Sequence, residues 1–135
     1  MNYKVLFRIE RLKLIDKLKA KIVNYRRYCE EMGDTCEIEI VCAGNVVTHF
    51  LEEDEFFKDE SLQVKLCKNA LNGLKPNYEQ KNIQIVSAGI GEVIKRKSQS
   101  NIIYKCITIK KECLHILFQK IFILLYIQSS LQIFF

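Results

Sequence analysis

The stretch Leu62-Gln63-Val64-Lys65-Leu66-Cys67-Lys68-Asn69-Ala70-Leu71 decides how this chain folds. It reads as an apolar strand that ends on a cysteine, with a short helical signal directly behind it. A strand that runs straight into a helix is half of a βαβ crossover, and crossovers of that kind build parallel sheets. Cys67 therefore stands at the carboxyl end of a strand and beside the positive end of a helix dipole, where parallel sheets present their ligands.

Outward from this segment the same unit repeats. Val5, Leu6, Phe7 and Ile9 mark a strand over residues 3–9, and a helical period takes over at Leu14, Leu18, Ile22, Tyr25 and Cys29 until Gly33 stops it. Residues 36–43 form a second strand, with Ile38, Ile40 and Cys42 alternating against Glu37, Glu39 and Val41. A short helix fits residues 46–51, and the acidic run behind it reads as a solvated excursion. The third strand covers 62–66, a helical turn 69–74, the fourth strand 83–86, a helix 90–99 and the fifth strand 102–109. The alternation predicts an α/β fold, a three-layer α/β/α sandwich on a largely parallel five-stranded sheet. One domain over residues 1–109 is followed by an apolar C-terminal extension over 110–135, read as helical.

Composition supports one domain with a real core, since 135 residues are 49% hydrophobic and 27% charged. The net charge of +5 is segregated: residues 1–27 are basic, 28–60 are acidic through runs such as Glu52-Glu53-Asp54-Glu55, and the remainder is basic again. Such blocks read either as complementary patches that dock like subunits or as solvated helix faces. Nucleic acid is not an expected partner, because the basic first helix has few aromatics beyond Tyr25 and Tyr28 and the acidic block repels phosphate.

Six cysteines stand at positions 29, 36, 42, 67, 106 and 113. Met1-Asn2-Tyr3-Lys4 passes straight into a strand with no secretory signal, so the expected compartment is the reducing cytoplasm and a disulfide framework is not expected. No C-x-x-C pair occurs, and His49 and His115 share no repeated ligand spacing with the cysteines, so no metal is expected. Neither G-x-G-x-x-G nor a P-loop is present, and no cofactor is implied.

Lys65 and Lys68 flank Cys67 and would favour its thiolate, the nucleophilic form. The ends of strands two, three and four share one edge, which predicts that Cys42, Cys67 and the turn Ser87-Ala88-Gly89 face one crevice. Amides after Gly89 would there offer donors to an anion or a terminal sulfur. Two readings stay open at each point. Cys67 is a reactive thiol or a buried core cysteine, Cys42 is a second thiol or core, and the glycines serve a ligand or only tight turns.

On four segments the chain resembles the DsrE/DsrF-like family of small sulfur-relay proteins, over about residues 3–107. They are Lys4-Val5-Leu6-Phe7, Glu37-Ile38-Glu39-Ile40-Val41-Cys42-Ala43-Gly44, Leu66-Cys67-Lys68-Asn69-Ala70-Leu71 and Val86-Ser87-Ala88-Gly89-Ile90-Gly91-Glu92-Val93. The third is the most specific, matching a Cys-x-Asn-small-Leu pattern that includes Asn69. Ser87 departs from the proline often found there. The resemblance implies an α/β/α sandwich, assembly as a homotrimer or hexamer, and a sulfur carried as a persulfide on Cys67 between donor and acceptor proteins.

Beyond Ile107 the resemblance ends. From Leu114 the chain is apolar on every side, through Ile116, Leu117, Phe118, Ile121, Phe122, Ile123, Leu124, Leu125, Tyr126 and Ile127. A helix apolar all round is buried in protein or lipid, and spanning a bilayer takes roughly 20 such residues. Lys120 interrupts the run, and Gln128, Ser129, Ser130 and Gln132 dilute its end. Residues 114–135 therefore read as a membrane anchor, as a segment buried against the sheet or another subunit, or as a reading frame that extends past the domain.

Overall fold

The structure is a computed structural model and describes residues 2–76, 80–99 and 102–107. The apolar extension and its expected roles lie outside the described residues.

Five strands, β1 (Asn2–Ile9), β2 (Thr35–Cys42), β3 (Leu62–Cys67), β4 (Ile83–Val86) and β5 (Ile102–Cys106), form one sheet in the order β4-β3-β2-β1-β5. Every pairing is parallel. Between the strands lie α1 (Ile15–Glu31), α2 (Lys68–Leu71) and α3 (Gly89–Lys97), with 3-10 helices at Leu12–Leu14, Gly44–Leu51 and Glu55–Lys58. The expected α/β fold with a five-stranded parallel sheet is what the chain adopts.

Alternation along the strands sorts their side chains onto two unequal faces. One face carries Val5, Phe7, Ile9, Ile38, Ile40, Cys42, Val64 and Leu66 beneath Leu14, Ile15, Leu18 and Ile22 at the start of the chain and Leu71 of α2. Helix α1 turns this stripe to the sheet because its apolar residues recur at three- and four-residue spacing. Gly33 ends it with φ +68°, a left-handed conformation that glycine adopts without strain. The opposite face has a smaller apolar contact, in which Leu6 and Val41 meet Val93 of α3. Ion pairs flank that contact: Lys65 Nζ lies 2.5 Å from Glu92, and Arg96 makes a two-pronged contact with Glu39.

The acidic segment is more than an excursion. Phe57 is fully buried within it and packs on Phe50 with ring centroids 5.0 Å apart. Asp54 receives the backbone N–H of Phe56 at 3.0 Å and pairs with Lys19 at 2.7 Å and His49 at 2.5 Å. Asn82, 3% exposed, ties the segment down by donating to the carbonyls of Phe57, Asp59 and Leu62. A buried amide left without partners costs about 1–3 kcal/mol, and the three carbonyls remove that cost for Asn82.

Candidate functional site

Helix α2 leaves β3 toward the face that holds α1, whereas α3 leaves β4 toward the opposite face. Adjacent strands whose connections part in this way open a crevice at their carboxyl ends, the topological switch point where open α/β sheets bind ligands. Cys67 occupies that point. It is the last residue of β3, pairs in register with Val86 at the end of β4, and is the N-cap residue of α2.

Its sulfur lies beneath the start of α3, where Gly89 is the first helical residue. A Cβ added at Gly89 would come within 3.5 Å of Cys67 Cβ and within 3.4 Å of Ala43 Cβ, so helix and strand end are in close contact. Backbone N–H groups of Gly89, Ala70 and Asn69 all donate to the sulfur. Burial, with Cys67 only 7% exposed, pushes the thiol up, but the three amides outweigh it and hold the thiol below its ordinary value. Donors from two helix starts thus converge on one sulfur. The arrangement favours a thiolate, and it offers the same donors to any sulfur anion bonded there.

The residues expected around Cys67 divide. Gly89 and Asn69 contribute through their backbones, while the Asn69 side chain is exposed. Lys65 points to the same face as Cys67 but is taken up by Glu92, whose carboxyl it holds below the usual range. Lys68 is exposed. Neither lysine contributes to the lowered ionisation of Cys67, so the lysine flank expected to do this is replaced by backbone amides. Cys42 does not share the crevice. It pairs in register with Leu66, one residue before Cys67, so its side chain enters the α1-side core and is fully buried. Burial alone raises its thiol far above the ordinary value.

A shallow depression lined by Glu10, Arg11, Leu12, Lys13, Gly44 and Asn45 lies along the same carboxyl edge, at the ends of β1 and β2. Gly44 is required there, because φ is +62° and a Cβ would approach the Glu10 carbonyl oxygen to 2.5 Å. Asn45 Oδ1 accepts the Leu12 N–H at 2.8 Å and fixes the two loops together. Among the described residues no group of three or more His, Cys, Asp or Glu side chains is placed to hold a metal ion, and no helix is long and apolar enough to cross a membrane.

The fold and the site define a class: an open parallel α/β protein with a hydrogen-bonded thiol at its switch point. No protein-family model matches the chain, and no curated protein matches it significantly.

Proposed function

We propose that this protein is a cytoplasmic sulfur carrier in which Cys67 holds sulfur as a persulfide and passes it to a partner thiol. The observation that supports it most directly is the convergence of the Gly89, Ala70 and Asn69 amides on Cys67 Sγ. The Cys67 thiolate attacks the outer sulfur of a donor persulfide, R–S–SH; the donor S–S bond breaks, R–S⁻ leaves, and Cys67 becomes Cys67–S–SH. An acceptor thiolate then attacks that outer sulfur and regenerates the Cys67 thiolate, so electrons balance without a metal or organic cofactor. Donor and acceptor are proteins with reactive cysteines, and the resemblance to the DsrE/DsrF-like family adds a homotrimeric or hexameric assembly.

Mass spectrometry of polysulfide-treated protein tests the proposal. One added sulfur on the Cys67 peptide, lost in Cys67→Ser, is expected. No added sulfur, or equal loading after the substitution, overturns it.

One observation favours a second reading. At 7% exposure Cys67 is as shielded as a core residue, which suits a non-catalytic assembly or binding module with a structural cysteine. Under that reading Cys67 resists alkylation in the folded protein, and Cys67→Ser changes stability rather than sulfur loading.

A further inference from the structure

A pair of thiols lies at the opposite end of the sheet from Cys67. Cys29 belongs to the inward stripe of α1, on its last turn, and is 1% exposed. Cys36 belongs to the inward series Cys36, Ile38, Ile40 and Cys42 of β2, pairs with Tyr3 at the amino edge, and packs against the same core while partly open to solvent. The chain between them reverses at Gly33, where Asp34 N–H donates to the Cys29 carbonyl at 2.8 Å. This reversal folds the strand back under the helix end that it has just left. The two thiols consequently face one another across the helix–sheet interface, and the Cys36 thiol, raised first by burial, is raised further by Cys29 beside it. Tyr25 stands against the same group, its partly buried hydroxyl beside the Cys29 thiol.

We propose that Cys29 and Cys36 are a redox-responsive dithiol that closes to a disulfide when the protein meets a low-molecular-weight disulfide such as oxidised glutathione. Both are free thiols in this structure. Cys36, the partly exposed member, attacks the small disulfide as its thiolate; the S–S bond breaks, one small thiolate leaves, and a mixed disulfide forms on Cys36. Cys29 then attacks the Cys36 sulfur, its proton passing to the second small thiolate as that group leaves. Two protein thiols are oxidised by two electrons and one small disulfide is reduced to two thiols. The product staples the end of α1 to the start of β2 across the Gly33 turn. Cys67 takes no part, so the proposal is independent of sulfur transfer.

The test uses the full chain. Reduced protein is incubated with oxidised glutathione, remaining thiols are alkylated, and peptides are mapped without reduction. The expected product is a Cys29–Cys36 cross-link, with Tm raised by about 5 °C relative to reduced protein as expected for a short closed loop. In Cys36→Ala the cross-link and the oxidation-dependent rise both vanish. Recovery of Cys29 and Cys36 alkylated while the exposed Cys106 carries glutathione overturns the proposal, as does an equal rise in Tm in Cys36→Ala. Preferential linkage of either residue to a third cysteine overturns it as well.

Discussion

Cys42 and Cys67 end neighbouring strands, both are buried, and their thiols are driven in opposite directions. Cys42 enters the apolar layer beneath α1, where among the described residues no polar group offsets the loss of water, so burial acts alone and keeps it neutral. Cys67 lies one residue out of phase, on the other face, where two helices begin. Burial there comes with three oriented amides, and the anion is favoured. What separates a core cysteine from a candidate nucleophile here is the number of backbone donors that reach the sulfur in a water-poor site.

The largest expected contrast is chemical. Native-state alkylation at neutral pH should modify Cys67 at least about 100-fold faster than Cys42, measured by quantitative peptide mapping. Comparable rates would break the comparison. Next comes deletion of a single donor. Gly89→Pro removes one N–H at the first position of α3, where proline suits the helix. It should raise the pH midpoint of Cys67 alkylation by about one unit, the worth of one hydrogen bond to a charge. Gly89→Ala places a Cβ in the same space but keeps the N–H, and should leave the midpoint where it is.

Stability should then separate the two thiols as pH rises. The ordinary cysteine value is 9.0; Cys67 lies below it when folded and Cys42 above it. Between the folded Cys67 value and 9.0 the unfolded chain binds more protons at that site, so Cys67 adds stability with rising pH, present in full above 9.0 and lost as pH falls through the folded value. Above 9.0 the folded chain retains the Cys42 proton that the unfolded chain gives up, so Cys42 subtracts stability, by up to about 1.4 kcal/mol per pH unit. Urea titrations from pH 7 to 10 should accordingly show Cys42→Ala gaining on the parent protein and Cys67→Ala falling behind. Matching slopes would refute the assignment. The smallest effect belongs to Lys65→Met, which should move the Cys67 midpoint by less than about 0.3, because the ammonium is neutralised by Glu92.

Much of the fold was legible in the sequence because it rests on period. Ile38, Ile40 and Cys42 alternate, Leu18, Ile22 and Cys29 recur at helical spacing, and both patterns survive into the structure. The position of Cys67 at a strand end before a helix was legible for the same reason. Register was not: nothing in the string shows that Cys42 opposes Leu66 rather than Cys67, and that one step sends the two thiols to opposite faces. The lysine flank misled because Glu92, the partner that occupies Lys65, lies 27 residues away. Phe57 was hidden by composition, since one buried ring among acidic residues leaves no periodic signal.

The strand order also constrains how the domain is assembled during synthesis. Strands β2, β3 and β4 each pair with the strand before them in sequence, so each closes against a surface already made. Strand β5 instead joins Lys4 to Ile102 across nearly the whole described chain. Until residues 102–106 have been made, the outer margin of β1 offers unpaired backbone groups to any passing extended segment. Of the four pairings, that of β1 with β5 closes the longest loop, and until it forms the first strand made is the one with an open margin.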